Sequence, residues 1–257
     1  LQFPACAVEP DQLRADDLLE LEARGSGRRR RPDPTESAVY RDTGRFLFRS
    51  PSVYLLIVAG PKGQSGRGGH AHNDILAYEL SVRGCDLIVD PGTFVYTGSP
   101  TERNRFRSIA NHSTLHWPGI EPCSLDRGLF SLQEEGRLEV EDCVLDESCD
   151  AFVGVYRYAG HFHRREVRLW KATEKVEVMD RCSTSGAVLT FVCAPGIEPV
   201  IDGDSCRIGE ATFTFENAGD MVIEPSDYSP AYGRRVSNKV LRVTVQTDWC
   251  AHRIEVA

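Results

Sequence analysis

The sequence lacks any run of about 18 apolar residues, the length a helix needs to cross a bilayer, so no membrane span is expected. The longest apolar stretch that reads as one element, Val53 to Ala59, is strand-sized. A basic excess is also missing. Lys and Arg number 30 against 38 Asp and Glu, a formal net charge of −8. A general nucleic-acid binder is usually basic, so that class is set aside. An acidic ligand is not excluded, because local basic patches decide that question. No Cys-x-x-Cys spacing occurs, which argues against a thiolate zinc knuckle. The nine cysteines are an odd number, which cannot pair completely within one chain, and they read as small buried hydrophobes. The chain begins with Leu rather than Met and is expected to be a fragment or a processed product. No secretory leader is legible, and the termini leave the compartment open. No internal repeat of fixed period is present. What remains is ordinary globular material, 41% hydrophobic and 26% charged. The 257 residues fit one large β-domain or two small domains.

Residues 1–36 differ from the rest. Asp11 to Glu22 reads as a short acidic helix with Leu13, Leu18, Leu19 and Leu21 on one side. Gly25-Ser26-Gly27, four arginines from Arg28 to Arg31, and Pro32-Asp33-Pro34 follow. That composition predicts a solvated linker rather than a nucleic-acid patch. Residues 37–257 form the second unit, and its pattern is that of strands. Val39-Tyr40, Asp42-Thr43-Gly44 and Phe46-Leu47-Phe48 read as a hairpin. Further strands are expected at Val53 to Val58, Leu76 to Val82, Leu138 to Leu145, Phe152 to Tyr158 and Val167 to Trp170. More follow at Val176 to Met179, Val188 to Val192, Ala211 to Phe215, Met221 to Ile223, Val240 to Val245 and Arg253 to Val256. Many short strands without intervening helices predict an all-β fold, a layered antiparallel sandwich or barrel.

The most informative stretch is Gly68-Gly69-His70-Ala71-His72-Asn73-Asp74. In an extended chain, residues two apart share a face, which would align His70, His72 and Asp74. Asp90 ends the apolar run Leu87-Ile88-Val89 just before Pro91-Gly92. His112 lies in Asn111-His112-Ser113-Thr114, ahead of a short strand from Thr114 to Trp117. Four of the seven histidines fall between His70 and His116, with Asp74 and Asp90 among them. Converging His and Asp are first-row metal chemistry, with zinc the default. A cupin would also use His-x-His, but its glutamate would follow more closely than Glu79 does.

Arg103, Arg105 and Arg107 alternate within Glu102 to Ser108. If that segment is extended, three guanidinium groups share one face and present forks suited to carboxylate or sulfate. The competing reading is a solvated edge strand. A second basic cluster, His161-Phe162-His163-Arg164-Arg165, starts a strand.

These motifs, taken in order, resemble the C-terminal β-domain of the heparinase II/III-like polysaccharide lyases. They are His70-Ala71-His72-Asn73-Asp74, Val89-Asp90-Pro91-Gly92-Thr93, and Arg103 through Thr114. Weaker likeness continues through His163-Arg164-Arg165, Val176 to Arg181, and Ser229-Pro230-Ala231-Tyr232-Gly233. The resemblance implies a β-sandwich that follows an α/α-toroid in the same protein, with an acidic polysaccharide bound between them. It implies β-elimination at a uronic acid and a periplasmic or extracellular setting. Carried over by position, His72, Asp90 and His112 match zinc ligands, and His70 matches a histidine facing the substrate. Asp74 would orient a ligand imidazole, as metal-bound histidines usually require.

The pattern is broken at Arg105, where the family often has Tyr, and at Ser113, where it often has Asn. Arginine stays protonated and cannot take over a tyrosine's proton transfer. Tyr96 is the substitute nearest in sequence to Asp90. The family's toroid also supplies catalytic residues, and no toroid lies in this sequence. Besides the lyase domain, two functions stay open. One is a non-catalytic, metal-stabilised carbohydrate-binding or structural module, for instance in polysaccharide assembly. The other is a hydrolase using metal-activated water, for which Glu102 is the only glutamate in the arginine segment.

Overall fold

Strict alternation of apolar and polar residues sets most of the strands. In Arg45–Arg49 (β2) the two phenylalanines are buried and the residues between them are not. Ala211–Glu216 (β14) repeats the pattern with Ala211, Phe213 and Phe215 inward. Such period-two burial is what a sheet with one covered face demands. The computed structural model describes residues 36–256. The acidic helix, the arginine run and the linker expected before Glu36 therefore lie outside the described residues.

Three antiparallel sheets form the molecule. The first joins Ala38–Tyr40 (β1), β2, Val53–Val58 (β3), Tyr78–Val82 (β4) and Cys85–Ile88 (β5) in that order. The chain then enters the only α-helix among the described residues, Pro100–Arg107 (α1), and a two-residue strand, Leu115–His116 (β6). The second sheet holds Arg137–Val144 (β7), Cys149–Tyr158 (β8), His161–Trp170 (β9) and Lys175–Cys182 (β10). It also takes in Val200–Asp202 (β12), Ser205–Ile208 (β13), β14 and Trp249–Val256 (β17). Its order is β12-β13-β14-β17-β10-β9-β8-β7. The third sheet runs Ala218–Ala231 (β15), Arg234–Val245 (β16), Val188–Val192 (β11), β6.

One apolar core joins all three sheets. Phe46 of the first meets Phe152 of the second at 4.7 Å between ring centroids. Phe191 of the third lies 5.8 Å from Phe213 of the second and 6.3 Å from Tyr78 of the first. Being covered on both sides, β11 is buried at Leu189 through Val192 instead of alternating. Fully burying each such aromatic stabilises the fold by about 2–3 kcal/mol.

The expected hairpin forms, with Val39 opposite Phe46, and Val53–Val58 and Val188–Val192 have the expected bounds. Several strands are longer than their apolar centres. The most extended is β15, 14 residues long around the expected Met221 to Ile223. The main correction is α1, since Glu102 to Ser108 reads as extended from its alternating arginines. Ser99 caps that helix by accepting from the Glu102 amide, and Pro100 stands at its first turn, where a missing N–H costs nothing.

Candidate metal centre

Three loops converge beside the first sheet. His72 lies between β3 and β4, and the chain there is held from both sides. The buried Lys62 ammonium donates to the His72 carbonyl. Asn73, wholly buried, gives its amide N–H to Arg107 O at 2.9 Å. Its side chain donates to Glu121 Oε2 at 2.6 Å and Cys123 O at 2.9 Å. Asp90 follows β5 directly. His112 follows α1 and a single 3-10 turn, Ile109–Asn111.

His72, Asp90 and His112 each offer one ligand atom, and these atoms lie within 4.8 Å of one another. The two imidazoles are 5.3 Å apart between ring centroids. His112 tests whether a metal fits. Both of its ring nitrogens are buried and neither has a hydrogen-bond partner. Its Nδ1 lies 3.0 Å from Asp90 Oδ2, yet off the line of an N–H···O bond. Two donor atoms that close, and not aimed at each other, suit a third atom between their lone pairs. An imidazole buried with neither nitrogen paired is otherwise costly. The donor set, two imidazoles and a carboxylate, suits a first-row metal ion.

Electrostatics favour the metal-binding forms of His72 and Asp90. Burial pushes the His72 imidazole down to about 4, and the neighbouring His112 adds to this. At neutral pH it is therefore the unprotonated species a metal needs. Burial also acts to lower His112, but the Asp90 carboxylate outweighs it and the net shift is upward. Burial acts to raise Asp90, but contact with His112 prevails and the carboxyl falls to about 2.

His72 and Asp90 line a cleft of about 520 Å³ together with His70, Lys62, Asp74, Glu79 and Arg45, while His112 is buried behind them. His70 is exposed and stands edge-on to Tyr96 at 5.4 Å between centroids, so these two expected proton-transfer groups are neighbours. Phe130 and Tyr232 stack on Tyr96 at 5.6 and 5.8 Å. Asp74 faces the Lys62 ammonium at 3.6 Å, and its charge reaches both His72 and His112. Burial, with the Asp90 charge, lifts the Glu79 carboxyl to about 7.

The arginines do not form the expected stripe. On a helix, Arg103 and Arg107 lie four apart and turn inward together, while Arg105 turns away. Arg103 is completely buried, with Nη1 2.9 Å from His72 Nε2 and its guanidinium carbon 5.1 Å from the Tyr96 ring centre. Arg107 is engaged by main-chain carbonyls, donating to Leu125, Gly128 and Ser131 at 2.8, 3.0 and 3.2 Å. Arg105 pairs with Glu102 and Asp227, each at 2.9 Å. Glu102 also holds Arg235, so the glutamate weighed for a hydrolase is occupied in an ion network.

Lys62, Arg45 and Glu79 enter the cleft without having been singled out from sequence as site residues. Nothing local marks them; their loops and strands bring them there. The helix did carry a signal. Ser99-Pro100-Thr101-Glu102 has the spacing of a capping box.

Fold and site define the class: a layered antiparallel β-domain with a His–Asp–His group at one cleft. The chain belongs to the family described as Heparinase II/III-like, C-terminal, whose model matches residues 32–257. Solved structures of similar fold include a heparinase III with methylated lysines, TM-score 0.74 at 18% identity. That match covers 94% of this chain and 40% of the other. Another is heparan sulfate lyase HepC from Pedobacter heparinus, TM-score 0.69 at 18% identity, covering 88% of this chain and 37% of that one. At such identities the likeness is one of fold. The chain spans about two fifths of the length of these structures. No curated protein matches the sequence.

Proposed function

We propose that this chain is the C-terminal domain of a lyase that cleaves a uronic-acid-containing polysaccharide by β-elimination, with a zinc ion held by His72, Asp90 and His112. The observation that carries the reading is the convergence of that trio, two of whose members line a cleft shared with His70. Membership in the heparinase II/III-like family and the fold shared with a heparan sulfate lyase support the substrate class. Zinc bound there would supply a fixed positive charge and a rigid link between three separate segments.

The chain's own groups fit parts of the reaction. β-Elimination needs a base for the proton at C5, an acid for the leaving oxygen, and a cation for the uronate carboxylate. His70 and Tyr96 are adjacent proton-transfer groups at the cleft. Arg103 stands beside both His72 and Tyr96, and its Nε and Nη2 have no hydrogen-bond partner. Of the three arginines it is the one beside the trio, since Arg105 and Arg107 are engaged elsewhere; fully buried, it acts on a bound uronate through its charge rather than by contact. Tyrosine is absent at position 105, so the remaining acid or base comes from an α/α-toroid of the same protein. An acidic polysaccharide substrate sets the reaction in the periplasm or outside the cell.

The test compares this chain with a longer protein that contains it, using heparan sulfate and alginate. Formation of unsaturated uronate is followed by ultraviolet absorbance. The longer protein is expected to turn over one of these polymers and to lose activity in His70→Ala. This chain alone is expected to bind zinc but to be a poor lyase. Zinc and polysaccharide binding with no product from either form would favour the non-catalytic module. Strong turnover by this chain alone, lost in His70→Ala, would remove the role given to the toroid.

A further inference from the structure

The second sheet hides a charged group far from solvent and close behind the metal trio. Arg165, on β9, has a side chain only 1% exposed. Asp180 lies directly opposite it on β10. The guanidinium grips that carboxylate with two bonds, Nε to Oδ1 at 2.7 Å and Nη2 to Oδ2 at 3.0 Å. His163 Nε2 meets the same Oδ1 at 2.6 Å. The fork is thereby fixed in plane and direction.

The remaining nitrogen, Nη1, turns away from the sheet. It donates to Leu76 O at 2.6 Å and to Ser113 O at 3.2 Å. These carbonyls belong to two of the loops that carry the trio. Ser113 follows His112 directly. Leu76 sits in the turn that Asp74 begins, two residues past His72, closed by Ala77 N to Asp74 O at 3.0 Å. Leu76 has φ +61, a conformation that favours glycine. A leucine stays there only where its surroundings hold it. Arg165 bonds that carbonyl, and full burial of the Leu76 side chain adds to the hold.

A buried Arg–Asp pair is weak evidence for stability, because burying two charges costs nearly what their attraction returns. The pair does provide a rigid donor with spare N–H groups at a fixed angle, which lysine does not. We propose that Arg165, locked by Asp180, is a positioning residue for the metal trio, tying the His72–Leu76 loop to the His112–Ser113 segment. The proposal rests on reading that trio as a metal centre. Zinc–nitrogen bonds are about 2.0–2.1 Å, so a small drift of one loop against the other is felt at the ion.

The test measures zinc affinity of the 257-residue chain by competition with a chromophoric chelator, together with the visible spectrum of the cobalt-substituted protein. Arg165→Lys keeps the charge and loses the fork. It is expected to weaken zinc binding about 10–100-fold, the usual effect of removing groups that orient ligands, and to alter the cobalt spectrum. Asp180→Asn is expected to act in the same direction, more weakly. Arg164→Ala, on the outward face of the same strand, should leave both readouts unchanged. If Arg165→Lys does not fold, Asp180→Asn decides. Wild-type affinity and spectrum in folded variants, even with a lower melting temperature, would overturn the positioning role and leave the metal reading intact. A wild-type chain that binds no zinc would overturn both.

Discussion

The Gly92 amide donates to Asp90 Oδ1 at 2.9 Å, which leaves Oδ2 to face His112 at 3.0 Å. A two-residue turn thus aims the Asp90 carboxylate at His112. The turn depends on glycine, because Gly92 has φ +79 and an added Cβ would meet Ser229 O at 2.3 Å. Gly92→Ala is therefore expected to destabilise the domain by about 1–3 kcal/mol. It should also weaken zinc binding about tenfold or more, by the effect that loss of a ligand-orienting group has. Chelator competition and thermal melts check this. Unchanged affinity would count against Asp90 as a ligand.

Metal removal should loosen the domain. Zinc at 100 times its Kd would add about 2.7 kcal/mol by mass action. Chelation is expected to lower the melting temperature, and His72→Ala to abolish that sensitivity. A melting curve unmoved by verified metal loss would rule out a linking role for the ion.

Arg103 and Arg105 should behave differently. Arg103→Ala removes the buried cation that bonds His72, a charge-assisted bond of about 1.5–3 kcal/mol that positions the cleft, and should weaken heparan sulfate oligosaccharide binding about tenfold or more. The Arg105 pairs with Glu102 and Asp227 are partly exposed and together are worth about 1 kcal/mol or less. Because its guanidinium is already engaged within the chain, Arg105→Ala should change oligosaccharide binding by about fivefold or less, the equivalent of about 1 kcal/mol. Calorimetric titration of both variants decides; the reverse ranking would return the binding role to Arg105.

Below pH 6.5 the buried histidines should draw stability from the metal-free domain, against an opposing contribution from Glu79, whose carboxyl is lifted to about 7. Burial holds His116 down to about 4 and His252 to about 3. Both folded values lie below the ordinary 6.5, so the unfolded chain binds more protons as pH falls below it. Their stabilisation is full above pH 6.5 and declines toward the folded values. Between pH 6.5 and 5 each should remove about 2 kcal/mol, at 1.36 kcal/mol per unit. Denaturant melts across this range should show the decline, with a shallower slope in His252→Gln. A slope unchanged in His252→Gln would mean that this ring does not stay neutral.

The strands were legible because alternation is local: Phe46, Phe48, Phe213 and Phe215 announce their buried face by spacing alone. The convergence of His72, Asp90 and His112 was legible through motifs in order. The arginine segment misled, because charges spaced by two imitate a strand face. Its helix start stood in the sequence as Ser99-Pro100-Thr101-Glu102, but the alternation was given more weight.

By itself the sequence determined an antiparallel β-domain, most strand positions, and the two histidines and aspartate that the fold brings together. Tertiary structure alone decided what surrounds that group. Arg105 meets Asp227, 122 residues away, and Arg165 meets Leu76, 89 residues away. Such pairs are set by sheet register and by how sheets stack, neither of which leaves a periodic mark on the chain. Side chains of identical charge and spacing thus part ways: Arg103 lies beside His72, and Arg105 lies in an ion network with the β15–β16 hairpin. Burial and partner geometry, which only the folded chain supplies, make that distinction.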